Sequence, residues 1–223
     1  MNKSKLLEYF DASSIKHDIH VIGCGAIGSH LVEQLVRMGV EQIHIWDFDT
    51  VAPHNITNQM FIEADIGEEK TDAVQAYAKA INPKVNIITH ASGIMPPYTL
   101  RGYIFLCVDN IELRNKIVQA NRFNPNVIAF FDFRMRLTDA QHYMAERTNE
   151  KRMSNLIESM NFTHEEAKEA TPRSACGTEL SVVYTVKTIV AVGVANFVKL
   201  LLEKETHWCI LVNLDLMVID AFK

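Results

Sequence analysis

Residues 20–59 decide the fold, and they read HVIGCGAIGSHLVEQLVRMGVEQIHIWDFDTVAPHNITNQ. A short apolar strand leads into Gly23-x-Gly25-x-x-Gly28, and apolar residues then recur every three or four positions, as in a helix with one buried face. A second strand ends in Asp47-Phe48-Asp49. This order of strand, glycine turn and helix is typical of a site that holds a phosphate at a helix N-terminus.

The same alternation continues along the chain. Strands are predicted over residues 19–23, 42–47, 85–90, 103–108 and 126–133. Helices are predicted over residues 28–38, 68–80 and 111–122. Alternating elements of this kind predict an α/β fold, a Rossmann-like doubly wound and mostly parallel sheet with helices on both faces.

The pattern changes after residue 138. A further strand is expected at 139–146, a long buried helix at 179–203, and one or two C-terminal strands within 208–219. Residues 145–173 contain eleven charged residues and little apolar periodicity. We therefore expect 145–175 to be a crossover segment that is mobile or ordered by a partner, with a short helix at 152–160. The whole chain, residues 1–223, is predicted to form a single domain.

Composition narrows the class of protein. The net charge of -5 gives no electrostatic reason to expect nucleic acid, and 48% apolar content is ordinary for a soluble domain. The four cysteines form no C-x-x-C pair, so we expect no structural zinc and reduced thiols in a cytoplasm. The apolar stretch 180–202 is interrupted by Lys187, Asn196 and Lys199, which favours a buried helix over a membrane span.

Each glycine of the loop has a predicted task. Gly23 permits the tight turn, Gly25 lets the backbone approach phosphates, and Gly28 lets the helix pack close to the strand. The N–H groups of the first helical turn, at Ala26 and Ile27, would face the anion. Asp47 follows Gly28 by 19 residues, which is the spacing of a carboxylate that accepts hydrogen bonds from ribose hydroxyls.

Two kinds of nucleotide are compatible with such a loop. An NAD-dependent dehydrogenase needs a proton donor and a substrate domain downstream, and no second domain is obvious in this sequence. The Asp-Phe-Asp motif, followed by Asn55 and Gln59, favours ATP and acyl-adenylate chemistry instead.

From Asp47 onward the chain resembles the ThiF/MoeB/HesA superfamily, the adenylating core shared with ubiquitin-activating enzymes. The resemblance covers about residues 17–135, returns at Cys176, and continues through 179–203. Its order of motifs is far more specific than any one of them. Those motifs are the glycine loop, DFDTV at 47–51, HNITNQ at 54–59, IGEEK at 66–70, INP at 81–83 and CVDN at 107–110.

The resemblance implies roles for individual residues, with ATP and Mg²⁺ as cofactors. Asp47 would bind ribose, Lys70 would place a cation against the phosphates, and Asp109 would hold Mg²⁺ at a strand end. Taken alone, Lys70 is more typical of a solvated helix residue, and Asp109-Asn110 of a helix cap. The predicted nucleotide-binding set is Gly23, Gly25, Ala26, Ile27, Gly28, Asp47, Asp49, Asn55, Asn58, Gln59, Lys70 and Asp109. The predicted catalytic set is Lys70, Asp109 and Cys176.

The sequence also departs from the family. Asn58 stands where the family has a phosphate-binding arginine, so Arg101, Arg114 or Arg134 would have to substitute in space, or the site is partly degenerate. Cys176 matches a cysteine that, in some relatives, links covalently to the activated carrier. A helix N-terminus favours its thiolate, although a small packed residue is an equally simple explanation.

Residues 132–135, Asp-Phe-Arg-Met, resemble an element of small stand-alone bacterial and phage members. Asp132 and Arg134 would either orient a partner's C-terminus or the phosphates, or form a structural ion pair. The histidines show no spacing typical of a metal site.

The resemblance therefore implies an ATP-dependent adenylyltransferase that activates a C-terminal carboxylate. The acceptor would be a small ubiquitin-like or sulfur-carrier protein, or a peptide, and the enzyme would be a homodimer without nucleic-acid or membrane partners. Three alternatives stay open: a degenerate nucleotide-binding module without turnover, an NAD-dependent oxidoreductase, and activation of a small-molecule or tRNA-borne carboxylate.

Overall fold

The computed structural model describes residues 1–173 and 180–223. Its strands are β1 (Ile19–Ile22), β2 (Gln42–Trp46), β3 (Asn86–His90), β4 (Gly102–Leu106), β5 (Val127–Arg136), β6 (Asp139–Glu146), β7 (Cys209–Asn213) and β8 (Val218–Phe222). Its α-helices are α1 (Ala26–Arg37), α2 (Lys70–Ile81), α3 (Ile111–Asn121), α4 (Glu150–Glu158), α5 (His164–Ala170) and α6 (Val183–Leu201).

All eight strands form one sheet in the order β3-β2-β1-β4-β5-β6-β7-β8. The first five pair in parallel, and the last three are added antiparallel at the far side. The predicted α/β fold, with a parallel sheet and additional C-terminal strands, is therefore confirmed. The carboxyl ends of β1, β2 and β4 lie side by side, and parallel sheets of this kind bind their ligands at that edge.

The two faces of the sheet carry separate cores, because successive side chains of a strand point to opposite sides. Ile19, Val21 and Phe105 belong to a large cluster covered by α1, α2 and α6. Ile22 and Ile104 point to a smaller cluster, which includes buried residues of α3 and α4. The helices thus cover both faces, as the sequence predicts, but the second face is less completely covered at β2 and β3.

The segment predicted as a crossover contains two helices. Helix α4 begins two residues before the predicted 152–160 helix and buries Met153 and Leu156 against the second core. Helix α5 was not predicted, although its N-terminus carries a capping box in which Thr163 and Glu166 exchange side-chain and backbone hydrogen bonds. The mobility of 145–175 stays a prediction.

Helix α6 is long and apolar enough, by length and composition, to cross a membrane. Half of its apolar window is buried inside the protein, and Val186, Ile189 and Phe197 pack into the first core. This packing matches the prediction of a buried helix in this part of the chain.

Candidate functional site

The glycine loop joins β1 to α1 and brings three backbone segments very close together. A Cβ at Gly23 would lie 2.8 Å from the backbone nitrogen of Val108, and Gly23 has a φ of +97°. A Cβ at Gly28 would lie 1.8 Å from the Gly23 carbonyl oxygen. A Cβ at Gly25 would meet no atom of residues 1–173 or 180–223 within 4 Å, so this part of the structure leaves space for a ligand in front of Gly25.

Gly25 is also the N-cap of α1, and no side chain in the described part of the chain caps that end. The first N–H groups of a helix have no intrahelical acceptor and carry the positive end of the helix dipole. Ala26 and Ile27 therefore present backbone donors beside the open space at Gly25. This arrangement has the form of an anion site.

Asp47 ties the second strand to this loop. Its carboxylate accepts the backbone N–H of Cys24 at 2.6 Å and that of Asp49 at 2.9 Å. Burial raises the pKa of Asp47, although these two hydrogen bonds and the nearby Lys70 oppose the rise. Asp47 thus positions the glycine loop in this structure, and its predicted contact with ribose stays a prediction.

Lys70 begins α2 with its ammonium group held inside the protein. Its side chain is 8% exposed, and its Nζ lies 2.8 Å from Oδ2 of Asp49, whose own side chain is 51% exposed. The charge of Lys70 also opposes the rise in the pKa of Asp47 and of Cys24. The sequence alone is compatible with a solvated lysine, whereas the structure shows a buried cation beside the glycine loop.

Asp109 follows β4 on the other side of the loop. Its neighbour Val108 lies against Gly23, and the Asp109 side chain is exposed. The cap of α3 is Asn110, whose side chain accepts the N–H of Leu113 at 2.8 Å. Asp109 is therefore not needed as the cap, and its carboxylate is available at the carboxyl edge of the sheet.

The turn that contains Asn55, Asn58 and Gln59 packs against α1. Asn55 is buried and its side-chain oxygen accepts the N–H of Ala52, so this asparagine shapes the turn. Ser29 of α1 accepts the N–H of Met60 at 3.2 Å and was missed by sequence reasoning. Oε1 of Gln59 is buried without a hydrogen-bond partner among the described residues. A ligand hydroxyl would satisfy that oxygen.

The three arginines proposed as substitutes at Asn58 are all engaged elsewhere. Arg101 pairs with Asp18 before β1, at the opposite end of the sheet. Arg114 is buried, donates to the Val108 carbonyl oxygen at 2.7 Å, and pairs with Asp132. Arg134 donates to Asp132 at 2.6 Å and to the Ser159 carbonyl oxygen at 2.6 Å.

Asp132 is completely buried between Arg114 and Arg134. Burial alone would raise the pKa of its carboxyl, but the two guanidinium groups hold that pKa below its usual value. Of the two alternatives for Asp132 and Arg134, the structure therefore shows the structural ion pair. Its third member, Arg114, connects this pair to the backbone at the end of β4.

Cys176 lies outside the described residues, so its predicted role stays a prediction. Cys24, Cys107 and Cys209 are buried, and burial raises the pKa of each thiol. A raised thiol pKa disfavours the reactive thiolate, so these three cysteines pack rather than react.

These residues fit a nucleoside triphosphate. The open space at Gly25, the uncapped helix N-terminus and the unpaired Gln59 oxygen offer complementary contacts to phosphate and ribose. Lys70, at the start of α2, pairs with Asp49 just after β2, and Asp109 follows β4. The two residues supply a cation and a hard oxygen ligand. The arrangement can bind and polarise a polyphosphate.

Similar proteins share parts of this chain. It is 28% identical over 125 residues to ubiquitin-like modifier-activating enzyme 5 of Oryza sativa subsp. japonica, covering 47% of this chain and 29% of that protein. It is 31% identical over 118 residues to tRNA threonylcarbamoyladenosine dehydratase of Haemophilus influenzae, covering 49% and 45% respectively. It is 27% identical over 125 residues to molybdopterin-synthase adenylyltransferase of the same bacterium, covering 52% and 50%. The chain therefore spans half or less of the length of these relatives.

The solved structures show the same fold. The structure of Escherichia coli MccB with ATP superposes with a TM-score of 0.76 at 15% identity, covering 94% of this chain and 64% of that one. PaaA superposes with a TM-score of 0.73 at 14% identity, covering 95% and 65%. The model of the ThiF family matches residues 14–219, which is nearly the whole sequence. This chain is therefore a member of the ThiF family.

Proposed function

We propose that this protein is an ATP-dependent adenylyltransferase. It activates the C-terminal carboxylate of a small ubiquitin-like or sulfur-carrier protein, or of a peptide. The observation that carries the proposal is the buried Lys70 ammonium group, held by an exposed carboxylate beside the open, uncapped glycine loop. The relatives named as activating enzymes and adenylyltransferases, and the fold shared with MccB in its ATP complex, support it.

The reaction needs little acid–base chemistry from the protein. A C-terminal carboxylate is already ionised at neutral pH, so it can attack the α-phosphorus of ATP without a general base. The bond from the α-phosphorus to the bridging oxygen breaks, and pyrophosphate leaves with the electron pair. The products are an acyl-adenylate and pyrophosphate, and catalysis consists mainly of positioning and charge stabilisation.

The residues of the chain have distinct tasks in this proposal. The backbone N–H groups of 25–28 bind phosphate oxygens, and Lys70 moves from the exposed Asp49 toward the charge that develops at the α-phosphorus. Gln59 accepts a hydrogen bond from a ribose hydroxyl. Asp109 would hold Mg²⁺, which when bound neutralises part of the triphosphate charge.

The assembly and the location of the enzyme are proposed with it. We expect a homodimer in the cytoplasm that acts on a protein or peptide C-terminus without a membrane. In a later step the Cys176 thiolate would attack the acyl carbon of the adenylate, forming a thioester as the bond to AMP breaks and AMP leaves. A catalytic Cys176 predicts that Cys176→Ser retains pyrophosphate exchange and loses only this transfer.

A second candidate is a nucleotide-binding module without turnover. The observation that favours it is the missing arginine, because Asn58 has no positive charge and Arg101, Arg114 and Arg134 all bind other groups. Such a module would bind ATP or AMP and act through protein contacts.

Acceptor-dependent exchange of pyrophosphate into ATP separates these functions. We expect exchange with the wild-type chain and its loss in Lys70→Ala and Asp109→Asn. The matched controls are Lys79→Ala, a lysine on the same helix, and Glu112→Gln, an acid in the first turn of α3. Both controls should retain wild-type exchange.

Other outcomes would decide against the proposal. Full exchange in Lys70→Ala and Asp109→Asn would remove our site assignment. ATP binding with no exchange across carrier proteins, peptides, small carboxylates and modified tRNA would favour the binding module. Calorimetry with ATP and NAD is the direct test of the oxidoreductase alternative, because tight NAD binding contradicts adenylation.

A further inference from the structure

A cluster of polar side chains lies on the second face of the sheet, the side opposite α1 and α2. His20 of β1 and His44 of β2 are register partners, and their rings stack with centroids 4.5 Å apart. One ligand atom from each of Asp18, His20 and His44 lies within 4.8 Å of the others. Nε2 of His90, from β3, lies 3.2 Å from Nδ1 of His44. Three neighbouring strands thus bring imidazole and carboxylate groups together.

The hydrogen bonds of this cluster leave one nitrogen of His20 without a partner. Nε1 of Trp46 donates to Nδ1 of His20 at 3.2 Å, while Nδ1 of His44 contacts His90. Nε2 of His20 has no hydrogen-bond partner among the described residues, although His20 is only 5% exposed. A buried polar atom without a partner destabilises the fold, so a ligand that satisfied it would contribute stability.

The cluster is accessible from solvent. The connection from β3 to β4, residues 91–101, contains no helix, and His44, Trp46 and His90 are only partly buried. Asp18 accepts from Gln42 at 3.3 Å and pairs with Arg101, whose side chain is 71% exposed. The Arg101 guanidinium can therefore move into water and release the carboxylate.

We propose that Asp18, His20 and His44 bind a divalent transition-metal ion of the zinc type on this face of the sheet. Two imidazoles, one carboxylate and one water complete the tetrahedral four-ligand set that zinc prefers. His90 is not a ligand, but it accepts the N–H of His44 and orients that ring. The cysteine pattern that argues against structural zinc does not bear on this site, because the register of two parallel strands assembles it.

Binding at Nε2 of His20 changes the surroundings of Trp46. The ring proton moves to Nδ1 of His20, so the indole N–H of Trp46 loses its acceptor there. An ion at this position therefore changes the emission of Trp46, which provides an optical signal independent of any enzymatic activity.

The test uses the full chain without an affinity tag, stripped with a chelator and titrated with Zn²⁺ alone. We expect one saturable site by calorimetry, a change in tryptophan emission, and a rise in the thermal unfolding midpoint. His44→Ala and Asp18→Asn should each weaken binding at least about tenfold. Arg101→Ala should strengthen binding because it frees Asp18, and His164→Ala, a histidine on α5, should leave it unchanged. Trp46→Phe should retain the affinity and lose the optical response.

His44 and Asp18 are better test positions than His20, because both are partly exposed and their loss creates no large cavity. Thermal unfolding of each variant without metal verifies that it is folded. Wild-type affinity in folded His44→Ala or Asp18→Asn would overturn the proposal. So would the absence of saturable binding by the wild-type chain up to about 1 mM zinc.

Discussion

Two ion pairs beside the sheet differ in exposure, although each joins a buried cation to an aspartate. In the first, Lys70 is 8% exposed and its partner Asp49 is 51% exposed. The second joins Asp132, which is completely buried, to two arginines, Arg114 and Arg134, whose side chains are 6% and 14% exposed. The first pair has one side open to solvent beside the glycine loop, and the second is sealed inside the protein.

The difference in exposure teaches what each pair can do. A buried charge that loses its partner is strongly destabilising, so the sealed pair is a fixed part of the structure. The open pair can exchange its carboxylate for another anion, because Asp49 is stable in water without Lys70. We therefore expect Asp132 to stabilise the fold and Lys70 to act on the nucleotide. Mutation of Asp132 should mainly lower stability, and mutation of Lys70 should mainly lower activity.

The largest expected effect is that of Asp132→Ala. The substitution leaves two buried guanidinium groups without a counterion, and we expect a loss of about 3–5 kcal/mol in the free energy of unfolding. Urea unfolding measures it. The control is Glu41→Ala, because Glu41 pairs at 2.8 Å with Lys3 and its side chain is 51% exposed. That control should cost less than about 1 kcal/mol.

Lys70→Ala should have a smaller effect on stability and a large one on chemistry. We expect a loss of about 1–2 kcal/mol in the free energy of unfolding, because the variant removes the buried stem of Lys70 but leaves the exposed Asp49 as the carboxylate without its partner. Acceptor-dependent exchange should fall about 10²–10³-fold, as is typical when one group that stabilises transition-state charge is removed. Exchange and urea unfolding of the same preparation measure both quantities.

Lys79→Ala is the matched control, and it should change neither quantity. If Lys70→Ala instead unfolded as readily as Asp132→Ala, the two ion pairs would be equivalent. The contrast between an open and a sealed pair would then be wrong.

His142 lies next to Asp132, and its burial predicts that the free energy of unfolding falls in acid. His142 is completely buried, its Nδ1 lies 3.2 Å from the Asp132 carbonyl oxygen, and burial lowers its pKa to about 4. Between about pH 6.5 and pH 4 the unfolded chain binds a proton that the folded chain does not. The contribution of His142 to the free energy of unfolding is therefore fully present above that window. It is lost as the pH drops through the window, by on the order of 1 kcal/mol per pH unit.

His142→Gln removes the His142 part of this dependence, while His20, whose pKa burial also lowers to about 4, keeps its own part. Unfolding measured across the window should show a slope reduced by as much as one proton relative to the wild type. An unchanged slope in His142→Gln would mean that His142 does not set the acid limit.

The sequence predicts the fold well where local patterns agree with tertiary packing. The apolar strand before Gly23 and the helical spacing after Gly28 locate β1 and α1 within a few residues, because one stripe of α1 is buried. Helix α5 was missed because it is short, charged and without buried residues, so only its capping box announces it. Apolar periodicity reveals a helix only where one of its faces is buried, and α5 has no buried residue.

The candidate site is predicted in parts. Motif order predicts Lys70 and Asp109 as site residues, and the structure places Lys70 at the start of α2 and Asp109 after the carboxyl end of β4. The sequence does not show that Arg114 is buried in an ion pair with Asp132. It also does not show that His20 and His44 are register partners on neighbouring strands. Both facts arise from long-range pairing between strands, and no local spacing reports them.

The smallest effect, and the sharpest test of the open pair, is expected for Asp49→Asn. The substitution removes a carboxylate that competes with phosphate for Lys70, while the amide oxygen of asparagine can still accept a hydrogen bond from the buried ammonium group. ATP should therefore bind a few-fold more tightly, as calorimetry measures at low ionic strength where screening is weak. Glu68→Gln, an exposed acid two residues before Lys70, is the control and should leave ATP affinity unchanged. Weaker ATP binding by Asp49→Asn would show that Asp49 contacts the nucleotide itself, and the pair would then be part of the binding site rather than an exchangeable partner of Lys70.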